Sequence, residues 1–100
     1  MRQLKIDPAA AIEIEEAADH YREIQPKLNT RFVDDLTYTI GMIRQFPGIG
    51  PVISKGLRVR SLASFPFSLI YTDDLPNDTV TIQVLAHQSR KPGYWTKRIQ

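Results

Sequence analysis

The stretch Leu57-Arg58-Val59-Arg60-Ser61-Leu62-Ala63-Ser64-Phe65-Pro66-Phe67-Ser68-Leu69-Ile70-Tyr71 decides the fold class. Its first half, Leu57 to Leu62, alternates apolar and polar residues, as a half-buried strand does. Phe67 to Tyr71 is rich in strand formers. The short link Ala63–Pro66 between them implies a hairpin. Downstream, Asp74-Leu75-Pro76-Asn77-Asp78 is a turn in composition. Val80-Thr81-Ile82-Gln83-Val84-Leu85-Ala86 then reads as a further strand. Strict alternation there puts Val80, Ile82, Val84 and Ala86 on one face and Thr81, Gln83, Leu85 and His87 on the other. A three-stranded antiparallel run follows.

Upstream the period changes. Leu4-Lys5-Ile6 alternates briefly, and Asp7-Pro8 then offers an N-cap and a first-turn proline. Ile14, Ala17, Ala18, Tyr21 and Ile24 recur at helical spacing, while Glu13, Glu16, Asp19 and Glu23 fall largely outside that stripe. Gln25-Pro26 closes this helix and opens a second, carried by Leu28, Phe32, Leu36, Ile40 and Ile43. A link this short makes the two helices an antiparallel pair. Phe46-Pro47-Gly48-Ile49-Gly50-Pro51 reads as a loop whose prolines stop the helix. It is not a phosphate-binding loop: no strand leads in, and no Gly-Lys-Ser/Thr follows. The expected architecture is α+β in a single domain, residues 1–100. It comprises an N-terminal strand, an antiparallel helical hairpin and three antiparallel strands in one sheet, with the helices on one face. The opposite face is then the candidate site, because alternating strands and a basic tail converge on it.

Composition bounds the chemistry. At 100 residues, 42% hydrophobic and 24% charged, the chain suits one globular domain. No apolar run approaches the ~18 residues of a membrane span, and the start lacks a signal peptide's apolar run. There is no cysteine, which excludes disulfides, thiolate metal sites and a cysteine nucleophile. A small chain of this kind is expected in the cytoplasm. Residues 1–50 carry six Lys/Arg against eight Asp/Glu, net −2, and residues 51–100 carry seven against three, net +4. The acids of the second half, Asp73, Asp74 and Asp78, are confined to one stretch. Elsewhere that half is basic, a field that attracts polyanions or an acidic partner segment.

No arrangement of Ser, His and carboxylate forms a visible triad, and no His or carboxylate spacing builds three metal ligands. The basic strands offer no carboxylate pair for glycoside chemistry. Of the two histidines, His20 falls on the acidic face of the first helix as a solvated residue, and His87 ends the last strand. The remaining constellation is cationic and aromatic: Arg58, Arg60, His87, Arg90, Lys91, Tyr94 and Trp95. Arginine forks match phosphate oxygens, and Tyr or Trp stacks on bases. A metal-free ribonuclease can be built from such parts, with Arg or Lys stabilising the phosphorane and His, Lys or Tyr moving protons. The same side chains can equally dock an acidic protein segment. Composition does not choose between the two.

These residues also carry a family resemblance. Arg60 through Tyr71, an arginine followed by a Phe-Pro-aromatic step, an apolar pair and Tyr, resembles the middle-strand signature of the RelE/ParE toxin superfamily. Val84-Leu85-Ala86-His87-Gln88-Ser89-Arg90-Lys91-Pro92-Gly93-Tyr94-Trp95 is similar to that superfamily's last strand and tail. The resemblance implies the toxin of a bacterial type II toxin–antitoxin module of the plasmid-stabilisation type. It also implies growth inhibition, held in check by a cognate antitoxin in a hetero-oligomer, with no cofactor. The ParE-like branch poisons DNA gyrase without hydrolysis. The RelE-like branch cleaves messenger RNA on the ribosome as a metal-independent endoribonuclease (an mRNA interferase). Arg60 matches the strand arginine of both branches. Arg90 and Tyr94 match tail positions where the nuclease branch places catalytic residues. Arg58, His87, Lys91 and Trp95 are the expected contacts to substrate or target. The tail Lys91–Trp95 departs from the well-studied nucleases. The low net charge of +2 and a second helix of about five turns favour the ParE-like branch.

Overall fold

The computed structural model describes residues 1–99. The elements are β1 (Gln3–Ile6), α1 (Pro8–Ile24), α2 (Pro26–Gln45), a 3-10 turn at Pro47–Ile49, β2 (Val52–Ser54), β3 (Leu57–Ser61), β4 (Phe67–Asp74), β5 (Thr79–His87) and α3 (Thr96–Ile99). They form one sheet in the order β1-β5-β4-β3-β2. The β5-β4-β3-β2 run is antiparallel, and β1 pairs parallel with β5. The chain therefore leaves β1, makes the helical hairpin on one side, and returns through the hairpins to place β5 against β1.

Local chemistry sets the helices. The Asp7 carboxylate accepts from the Ala9 amide at 2.9 Å, and Pro8 opens α1, so both start signals are used. Gln25 ends α1 and precedes α2 with no intervening linker. The Asn29 amide donates to the Ala18 carbonyl at 2.8 Å and ties the two helices together. Their apolar stripes supply Ala10, Ala17, Phe32, Leu36 and Ile43 to a core closed by Leu62 of the β3–β4 link and by Leu69, Tyr71, Val80, Ile82 and Leu85 of the sheet. Tyr21, Phe32, Phe65 and Phe67 pack edge-on or tilted, with centroids 4.9 to 6.4 Å apart, where the hairpin meets the β3–β4 link. Asp35 of α2 accepts from the Ala63 and Ser64 amides at 3.1 and 2.8 Å and holds that link in place.

Four features differ from the sequence reading. Val52–Ser54, beyond the loop, is a short edge strand, with Gly50 buried behind it. A Cβ on Gly50 would lie 2.3 Å from the Val59 carbonyl oxygen, so only glycine allows this approach. Ile24 is 59% exposed although it lies on the helical stripe. The aromatic cluster closes at Tyr21 and Phe32, one turn earlier, and leaves Ile24 no layer to pack on. The chain after His87 is not a plain tail, since it turns back and ends in α3.

The fourth difference is the alternation of β5. Ile70 pairs with Val84 but Tyr71 pairs with Ile82, so Gln83 is an extra residue, a β-bulge. Val80 and Ile82 face the helices, and after the bulge so does Leu85. Val84 and Ala86 face the other way, with Leu57 and Ile70. The bulge gives the sheet a second apolar strip on the side away from the helices.

Candidate functional site

The face opposite the helices is not an open basic surface. Tyr94, Trp95 and Ile99 fold back onto its apolar strip of Leu57, Val59, Ile70, Val84 and Ala86. Arg58 and Arg60 lie on the other side. Arg58 pairs with Tyr71 and Arg60 with Leu69 across β3–β4, and directly opposed residues share a face. Tyr71 and Leu69 both belong to the helix-side core. The expected convergence of strand arginines and tail on one face is therefore corrected: the covered face takes Val59, and the arginines point to the helix side.

The two arginines differ in kind. Arg58 is half-buried and donates to the Gly50 carbonyl at 2.8 Å. It braces the loop into which the Tyr71 hydroxyl also reaches. That hydroxyl donates to the Pro47 carbonyl at 2.6 Å and accepts from the Gly50 amide at 3.1 Å. Burial raises the Tyr71 pKa, against the Gly50 amide and the charge of Arg58, which lower it. Arg60 is exposed and joins no ion pair among the described residues.

The tail residues gather at the free edge of β5. The Arg90 guanidinium stacks over the Tyr94 ring at 3.9 Å, a cation–π contact. His87 sits edge-on to Phe67 with centroids 5.0 Å apart. Its Nδ1 accepts from the Ser89 amide at 3.0 Å and lies 2.7 Å from the Ser89 hydroxyl. His87, Arg90 and Tyr94 line two small cavities of about 280 Å³ each. One lies toward α1, beside Glu13, Glu16 and His20, and the other toward Ser68 and Ala86. Burial first, then the negative Glu13, raise the Tyr94 pKa, against the opposing charges of Arg90 and Arg98. Lys91 is exposed in the turn, and Trp95 is half-buried on the apolar strip.

Two further residues organise this edge. Past Ile6, β1 no longer covers β5, and the bulge leaves backbone groups of Gln83 and Leu85 facing outward. Glu13 of α1 accepts from the Leu85 amide at 3.1 Å. Arg98 of α3 donates to the Gln83 carbonyl at 2.5 Å and makes two bonds to Glu13, each 3.1 Å. The Glu13 hydrogen bond raises the Arg98 pKa, against burial. Sequence reasoning places Glu13 outside the apolar stripe of the first helix and Arg98 in the basic second half, and pairs neither. Their pairing spans 85 positions, and no local pattern shows it. Toward the opposite, β2 end of the sheet, β2, the β2–β3 turn and α3 enclose a groove of about 790 Å³ lined by Ile53, Leu57, Trp95 and Ile99 together with Lys55 and Thr96.

Among the described residues, no group of three or more His, Cys, Asp or Glu is placed to hold a metal ion. No described helix is long and apolar enough to cross a membrane.

Several solved structures share this fold. The chromosomal ParDE toxin–antitoxin system from P. aeruginosa includes a chain that superposes with a TM-score of 0.73 at 23% identity, covering 87% of this chain and 96% of that one. The isolated E. coli RelE toxin superposes with a TM-score of 0.64 at 17% identity, covering 100% of both chains. In the intact E. coli RelBE toxin–antitoxin complex the values are 0.63 and 15%, covering 90% of this chain and 100% of that one. No curated protein matches the sequence significantly. The family model of the ParE toxin of type II toxin–antitoxin systems, parDE, matches residues 4–92, from β1 through the turn after β5. The chain belongs to the ParE toxin family of type II toxin–antitoxin systems.

Proposed function

We propose that this toxin arrests growth by poisoning DNA gyrase, without hydrolysing a substrate itself, and is neutralised by a cognate antitoxin in a hetero-oligomer. The observation that carries this reading is the separation of the parts a nuclease would need together. Arg60 stands on β3 and faces the helix side, while Tyr94, with Arg90 stacked over its ring, folds onto the strip of the opposite face. The two faces are separated by the sheet itself: Val59, next to Arg60 in β3, packs on the Tyr94 side while Arg60 points away from it. Tyr94, raised in pKa and held under Arg90, keeps its proton at neutral pH and is a poor base. The net charge of +2 also supports a protein target over a phosphate backbone, where affinity grows with each cation released against salt. The antitoxin partner is supported by the family and by the two toxin–antitoxin assemblies that share the fold.

One observation favours the alternative, ribosome-dependent cleavage of message. His87, Arg90 and Tyr94 line common cavities, which brings an imidazole, a guanidinium and a phenol together. One paired assay separates the readings. Purified protein is added to gyrase with plasmid and, separately, to translating ribosomes. The expected result is trapped cleaved DNA and lost supercoiling with message intact. Message cut by the wild type but not by Tyr94→Phe, with supercoiling unaffected, overturns the proposal.

A further inference from the structure

The segment after Ser89 is fastened to the fold at very few points. Its backbone hydrogen bonds are internal: Tyr94 to Lys91, Thr96 to Gly93 and Arg98 to Trp95, with Arg90 reaching back only to His87. Its apolar hold is Tyr94, Trp95 and Ile99 on the strip of Leu57, Val59, Ile70, Val84 and Ala86. Its one ion pair among the described residues is Arg98 with Glu13.

That ion pair also completes the sheet. At the bulge, β5 offers the Gln83 carbonyl and the Leu85 amide to an edge that β1 no longer covers. Glu13 and Arg98 each take one of these groups and then bond each other twice. Helix α1, strand β5 and helix α3 are joined at one spot by charge-assisted bonds. The Glu13 side chain is 23% and the Arg98 side chain 33% exposed, a partly shielded pair that salt screens less than a fully exposed one.

We infer that Glu13 and Arg98 form a clasp that fastens the C-terminal segment over the sheet's second face and so sets how Arg90, Lys91 and Tyr94 are presented. Glu13 is a positioning residue in this arrangement. Without its carboxylate, Arg98 keeps a single carbonyl partner and the Leu85 amide keeps none. The segment then docks by its three apolar side chains and the one Arg98 bond to Gln83, and docked and undocked forms exchange by local opening. The presentation half of the inference rests on the proposed target-binding role of the tail, and the fastening half does not.

Trp95 is the only tryptophan in the chain and sits within the fastened segment. Its emission and its quenching by acrylamide therefore report docking directly, whether or not the protein poisons gyrase. Glu13→Ala and Arg98→Met are expected to red-shift Trp95 and to lower the docked-to-undocked ratio about fivefold, the value of one modest ion pair. Glu13→Gln, which keeps an acceptor for Leu85 but loses the charge, is expected between these and the wild type. Raising KCl to about 1 M, where the screening length falls to about 3 Å, should move the wild type toward Glu13→Gln and leave Glu13→Ala unmoved. The melting temperature reports the helix-side core separately. If Glu13→Ala fails to fold, Arg98→Met decides, since it alters only the segment's side of the clasp. Identical emission, quenching and salt response in wild type and Arg98→Met overturn the fastening. Restored gyrase inhibition in a variant with undocked Trp95 overturns the presentation.

Discussion

One sheet carries two covered faces, and they are closed by different means. The helix side joins eleven buried residues from α1, α2, β4, β5 and the β3–β4 link, with an aromatic cluster at its seam. Asp35 and Asn29 pin the helices to the β3–β4 link and to each other. The second face holds four buried residues and is covered by a segment with one ion pair and three apolar anchors. Stability in a small domain is unevenly spread, and segments with few buried contacts open first. The helix side therefore determines whether the chain folds. The second face is a surface of the folded protein on which cationic and aromatic groups are arranged.

The sharpest break in this comparison is a pair of aromatic truncations. Phe32→Ala removes a fully buried ring from the helix-side core and is expected to cost about 3–5 kcal/mol. That is much of the ~5–15 kcal/mol that holds a domain together, so the variant should be largely unfolded by circular dichroism at 37 °C. Trp95→Ala removes a larger ring, but from a half-buried position on the second face. It is expected to cost about 1–2 kcal/mol and to leave a cooperative transition with the helix content of the wild type. Equal losses at the two sites would show that the C-terminal segment belongs to the main cooperative unit.

Alkaline pH sharpens the comparison by a smaller amount. Tyr71 on the helix side and Tyr94 on the second face both have pKa values raised above 10.0 by burial. The native state thus holds each phenol proton more tightly than the unfolded chain. The stability from this is fully present below pH 10, the unfolded value, and is lost as pH rises through the folded value. Denaturant titrations at rising pH should show stability declining above pH 10. Tyr94→Phe should remove part of that decline while keeping the hydrogen bonds of Tyr71 at Pro47 and Gly50.

The layers were legible in the sequence, and the second face was not. Helical stripes, the Asp7-Pro8 start, the Gln25-Pro26 junction and the three alternating strands are all local periodicities. Each survives into the structure because burial enforces it. The faces of β5 went wrong after Gln83, because a bulge inserts one residue without any break in the β-branched pattern Val80-Thr81-Ile82-Gln83-Val84. That one residue moved Val84 and Ala86 to the far side, where they call for a cover. The expected convergence of the strand arginines and the tail on one face fails for a different reason. Arg58 and Arg60 do share a face, as alternation requires, but nothing local says which face looks toward the helices. The Glu13–Arg98 pair joins the first helix to the last turn of chain, a separation at which spacing carries no information.

The smallest expected effect on folding belongs to Arg60, and it tests function most directly. Arg60 is exposed, makes no ion pair among the described residues, and stands on a strand whose packing is carried by Leu57 and Val59. Arg60→Ala is expected to change stability by no more than about 0.5 kcal/mol, as surface substitutions do, and to leave the melting temperature within a few degrees. Growth arrest on expression should nevertheless be lost. Arg58 is its contrast, two residues away on the same face. The Arg58 guanidinium holds the Gly50 carbonyl, so Arg58→Ala should cost about 1–2 kcal/mol through a broken part-buried bond to a charged group. A melting curve and a growth curve for each variant complete the test. Arg60→Ala that folds like the wild type and still arrests growth removes the helix-side arginine from the target interface, leaving only Arg90 and its neighbours at the β5 edge. A large loss of stability instead makes Arg60 a structural partner of the helix layer, and the contrast with Arg58 disappears.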